Sequence, residues 1–95
     1  MSSLMRGKRG LVMGVANNHS IAWGIAKALA DQGAELAFTY QGESLQKRVA
    51  PLAESVGSHS VLPCDVEDIA SVDSVFETLR QQWGSIDFLV HAIAF

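Results

Sequence analysis

Gly14, Ser20 and Ile21 are the first candidates in this chain for contact with a ligand. The apolar run Leu11-Val12-Met13 breaks at Gly14 into a short polar loop, and helical spacing begins after Ser20 with Ile21, Ile25, Ala28 and Leu29. A strand, a turn and a helix in that order place unpaired backbone N–H groups and about half a positive charge at the helix start. A phosphate can be held there without a basic side chain. Gly14 allows a sharp turn and a close backbone approach, and Ser20 is a good N-cap. Neither G-x-G-x-x-G nor the Walker A pattern with its lysine is present, so these residues alone fit an ordinary strand-to-helix turn equally well.

The other candidates are single polar residues after apolar runs. Asp65 follows Val61-Leu62-Pro63-Cys64, where a carboxylate can cap a turn or accept a hydrogen bond from a ligand. Gln41 follows Phe38-Thr39-Tyr40. His19, His59 and His91 are not at metal-ligand spacing and read as loop or packing residues. Trp23 and Trp83 read as core, and Lys47 and Arg48 as a solvated helix face. Cys64 is the only cysteine, which rules out an internal disulfide and suits a buried thiol at a strand end.

The elements that must position these residues alternate along the chain. Strands are expected over Lys8–Met13, Ala34–Tyr40, Ser60–Cys64 and Ile86–His91. A first helix is expected over Ser20–Gln32, stopped by Gly33. A second carries Leu45, Val49, Leu52, Ala53 and Val56, with a kink or break at Pro51. A third starts at the N-cap Asp68, carries Val72, Val75, Phe76, Leu79 and Trp83, and closes at Gly84. Unbroken strand–helix alternation demands parallel strands joined by right-handed crossovers, a doubly wound α/β sheet of Rossmann type in β-α-β-α-β-α-β order. Helix three is expected on the opposite face from helices one and two. Ligands of such sheets bind at the carboxyl ends of the strands, where Gly14, Gln41, Asp65 and His91 all fall.

The 95 residues, 48% of them hydrophobic, are enough for one small domain. The net charge of -3, with scattered acidic residues, argues against a nucleic-acid partner. No apolar run approaches the ~20 residues of a membrane span, and the N-terminus lacks the apolar core of a signal peptide, so a cytoplasmic protein is expected.

Gly14-Val15-Ala16 with Ser20-Ile21-Ala22, Phe38-Thr39-Tyr40-Gln41, Cys64-Asp65-Val66 and Val90-His91-Ala92-Ile93 together resemble the enoyl-acyl-carrier-protein reductases of type II fatty-acid synthesis, a divergent branch of the short-chain dehydrogenases. The similarity runs in register over essentially the whole chain. The Thr-Gly-x3-Gly-x-Gly turn and the Asn-Asn-Ala-Gly sequence of most short-chain dehydrogenases are absent. The resemblance implies NADH as cofactor and an enoyl thioester on acyl carrier protein as substrate, its trans-2 double bond reduced by hydride transfer. It implies that Gly14, Ser20 and Ile21 hold the pyrophosphate and that Gln41 lies beside the adenosine ribose. Asp65 would accept from the adenine amino group, Val66 would pack on the ring and Ile93 would line the nicotinamide. Ala94 stands where this family usually has Gly. The family's catalytic Tyr and Lys belong to later elements, so this chain is expected to carry the cofactor-binding half and no catalytic residue. Homotetramers are implied for the full-length protein. Two other readings of the residues stay open: a short-chain oxidoreductase acting on a ketone or alcohol, and a non-catalytic nucleotide-binding module.

Overall fold

The computed structural model describes residues 6–15, 20–58, 60–65 and 67–91. Seven elements alternate: β1 Arg9–Met13, α1 Ile21–Asp31, β2 Glu35–Tyr40, α2 Glu43–Ser55, β3 Ser60–Pro63, α3 Ile69–Trp83 and β4 Phe88–His91. The strands form one parallel sheet in the order β3-β2-β1-β4. The chain therefore steps outward from β1 to β2 to β3, crosses over and returns on the far side of β1. Strand order reverses between β1 and β4, the switch point at which open α/β sheets bind ligands.

Side-chain alternation along the strands divides the core into two layers. Val12, Leu36 and Phe38 pack with Trp23 and Ala26 of α1 and with Val49 and Ala53 of α2. Leu11, Met13 and Ala37 point the other way and pack with Val75 and Leu79 of α3. Helix three thus covers the face opposite helices one and two, as expected. Burial of both faces accounts for the continuous apolar run of β1, in which Leu11 and Val12 are fully buried.

Local chemistry fixes the element ends. Ser20 caps α1, its Oγ accepting from the Trp23 N–H at 3.4 Å. Asp68 caps α3, its Oδ1 accepting from the Ala70 N–H at 3.0 Å. Pro63 ends β3, an edge strand, where a missing N–H costs no ladder bond.

Three expectations are corrected. The buried residues of α1 are Ala22, Trp23 and Ala26, whereas Ile21 is 79% exposed. The two alanines let the helix lie close to the sheet and the Trp23 ring, 6.3 Å from that of Phe38, fills the rest of the gap. Helix α2 runs unbroken through Pro51. Val49 and Ala53, both buried and two residues to either side, anchor both halves to the sheet, and Pro51 itself is exposed. Phe76 lies at the margin of the α3 stripe, 37% exposed.

Candidate nucleotide site at the carboxyl edge

The register of the sheet levels the strand ends. Val12 pairs with both Phe38 and Val90, Met13 pairs with His91, and Tyr40 pairs with Pro63. Gly14, Gln41 and Cys64-Asp65 therefore leave the sheet along one edge, the edge at which β4 ends with His91. Three strand spacings of about 4.8 Å separate the β3 end from the β4 end, roughly 14 Å. That is the reach of an extended dinucleotide rather than of a single phosphate.

Gly14 has φ 108°, in the region that favours glycine, so the chain turns directly off β1. Six residues later Ser20 starts α1, whose first-turn N–H groups, at Ile21 and Ala22, have no acceptor within the helix. Dipole and N–H donors together make this end of α1 a place for an anion. The exposure of Ile21 has the same origin: as the first helical residue it stands at the carboxyl edge instead of over the core.

Gln41 is exposed immediately after β2, followed by Gly42 at φ 90° and by Glu43, the first residue of α2. Lys47 and Arg48 are exposed a turn further on, the solvated face that the sequence suggests.

Asp65 sits in a turn tied by three hydrogen bonds. Its N–H donates to Ser71 Oγ at 2.9 Å, its carbonyl accepts from the Asp68 N–H at 2.9 Å, and its Oδ1 accepts from the Glu67 N–H at 3.0 Å. Turn-capping is thus one of its roles, and it employs one carboxylate oxygen. The neighbouring Cys64 donates its N–H to the Tyr40 carbonyl at 2.8 Å. Its side chain is buried, and burial pushes the thiol pKa up. The Ser71–Asp65 hydrogen bond is a feature that sequence reasoning missed, because an ordinary Ser in a first helical turn carries no distinguishing signal.

Gly14, Ser20, Ile21, Gln41 and Asp65 all lie along this edge, while Val66 and Ile93 fall outside the described residues. Trp23 is core, as expected, Trp83 is only half-buried against the α3 layer, and His91 is exposed at the end of β4. Among the described residues no group of histidine, cysteine and carboxylate side chains is arranged to hold a metal. No described helix is long and apolar enough to cross a membrane. A cleft of about 460 Å³ lies at the other end of the sheet, lined by Glu35, Leu36, Ser58, Ser60 and Trp83 among others. Its charged group is a carboxylate, unsuited to a phosphate.

The carboxyl edge thus offers a glycine turn and an open helix start suited to phosphate, with the exposed Gln41 amide and the Asp65 carboxylate further along it. The chain is 70% identical over its full 95 residues to enoyl-[acyl-carrier-protein] reductase [NADH] 2 of Rhizobium meliloti, of which it spans 35%. Its fold matches the enoyl-(acyl-carrier-protein) reductase of Anaplasma phagocytophilum, solved in complex with NAD, with a TM-score of 0.95 and 57% identity, over all of this chain and 36% of that one. It also matches the enoyl-acyl carrier protein reductase of Bacillus cereus, solved with NADP+ and indole naphthyridinone, with a TM-score of 0.92 and 47% identity, over all of this chain and 37% of that one. The chain spans about a third of the length of the curated relatives it matches. The family model for enoyl-(acyl carrier protein) reductase matches residues 14–95, so the chain belongs to the enoyl-acyl-carrier-protein reductase family.

Proposed function

We propose that this chain forms the adenosine and pyrophosphate half of the cofactor site in an NADH-dependent enoyl-acyl-carrier-protein reductase of fatty-acid synthesis. The observation that carries the reading is the levelled carboxyl edge, on which Gly14, the start of α1, Gln41 and the Asp65 turn follow one another in the order of the parts of a dinucleotide. The names of the similar proteins support the same cofactor and substrate.

Within this chain the work is binding and orientation. The turn at Gly14 brings backbone close to the pyrophosphate, and the Ser20 and Ile21 end of α1 offsets its charge. Gln41 hydrogen-bonds a ribose hydroxyl. The Asp65 carboxylate accepts from the adenine amino group while Val66 packs on the ring face, and Ile93 lines the nicotinamide. When bound, the reduced nicotinamide supplies the hydride that saturates the trans-2 double bond of the enoyl thioester. Proton donation and polarisation of the thioester carbonyl fall to the Tyr and Lys of elements outside this chain. The full-length protein is a cytoplasmic homotetramer in this reading, with acyl carrier protein delivering the substrate.

The test is NADH oxidation by the full-length protein, with crotonyl and longer enoyl thioesters offered beside simple ketones and alcohols. Turnover on the enoyl thioester alone is expected. Turnover confined to a ketone or alcohol would move the protein to another branch of the short-chain oxidoreductases, and binding of NADH without any turnover would make it a nucleotide-binding module.

A further inference from the structure

We propose that Ser71 is a positioning residue for the adenine end of the cofactor site, acting through Asp65; this rests on the reading of Asp65 given under the proposed function. The strand ladder ends before Asp65 is reached. Tyr40 pairs with Pro63, and the Cys64 N–H is the last to reach β2. Asp65 is therefore the first residue past β3 whose N–H the sheet does not hold. Ser71 Oγ takes that N–H at 2.9 Å.

Ser71 is well placed for this because it rides on the first turn of α3. That helix is fixed to the sheet by Val75 and Leu79, both buried, and its start is set by the Asp68 cap. The Asp65 N–H, carbonyl and Oδ1 are all engaged within residues 65–71. Among the described residues no donor occupies Oδ2, which is left as the acceptor for an amino group. Without the Ser71 contact the turn keeps its Asx and backbone bonds but loses its link to the helix, and the carboxylate is free to swing relative to the sheet edge.

The experiment uses the full-length protein with S71A, the shape-matched pair S71T and S71V, and D65A. Binding of ADP-ribose, which carries the adenine end without the nicotinamide, is measured by calorimetry. Turnover with reduced nicotinamide mononucleotide, which lacks the adenine end, reports on the rest of the site. S71A and S71V are expected to weaken ADP-ribose binding by roughly three- to tenfold, the scale of one hydrogen bond, with mononucleotide turnover unchanged and S71T close to the parent. Equal losses in both measurements would make Ser71 merely structural and overturn the proposal. Unchanged ADP-ribose binding in S71A and S71V, with D65A selectively weakened, would also overturn it while leaving the adenine reading intact. D65A without a selective loss would overturn the adenine reading and the role of Ser71 with it. Should S71A fail to fold, the S71T and S71V pair decides the matter at constant shape.

Discussion

Replacing Gly10 by alanine isolates the packing that sets β1 beside β4, the two strands between which the sheet order reverses. Gly10 is not at positive φ, so the position does not need glycine for its backbone. It is glycine because its register partner on β4 is Phe88, whose ring lies where a Cβ would go. The ring also packs against the core layer of α1 and α2, so it cannot simply lift away. Overpacking of this kind costs about 1 to 3 kcal/mol. In a protein of full family length that is a fall in Tm of roughly 2 to 12 °C. The decisive comparison is the same substitution in an F88A background. With the ring gone, alanine should be neutral or stabilising by up to about 1 kcal/mol, because it removes the entropic cost of glycine in a strand. The assay is thermal or urea unfolding of the four full-length proteins in a double-mutant cycle. A G10A cost that is equal with and without Phe88 would refute the reasoning and place the strain elsewhere on β1.

Three further outcomes are expected. The full-length protein should bind NADH more tightly than NADPH by roughly ten- to a hundredfold, since Glu43 at the start of α2 repels a 2′-phosphate beside Gln41; competitive titration at fixed salt checks this, and E43K should narrow the gap. Equal or tighter NADPH binding would implicate the exposed Lys47 or Arg48, and the NADP+ complex of the Bacillus cereus relative makes the comparison worth running early. Residues 1–95 alone should aggregate or fail to melt cooperatively and should show no enoyl reduction, because the β4 edge is open and Leu89 is 48% exposed; light scattering and calorimetry read the first, NADH oxidation the second. Burial raises the Cys64 thiol pKa on folding, so its contribution to stability is complete below the ordinary thiol pKa and is lost as pH rises through the window up to the folded value. Alkylation at pH 8 should be slow in the folded protein and fast in denaturant, and rapid labelling of the native state would contradict the burial.

The alternation of strands and helices, the caps at Ser20 and Asp68 and the edge on which Gly14, Gln41 and Asp65 emerge are all legible in the amino-acid pattern. These depend on hydrophobic period, on side chains that bond their own backbone and on glycine at positive φ, all of which act over a few residues. Tertiary structure decided what local pattern leaves open. The sequence stripe points Ile21 and Ile25 inward, but the close approach of α1 to the sheet selects Ala22 and Ala26, and Ile21 is released to the ligand edge. A break at Pro51 follows from the lost hydrogen bond, yet burial of Val49 and Ala53 holds α2 together. Nothing local marks Gly10 as the seat of Phe88, 78 residues away, or Ser71 as the holder of the Asp65 amide. Those pairings exist only once the crossovers have placed β4 beside β1 and α3 beneath the sheet, because long-range packing chooses among partners that local chemistry leaves equivalent.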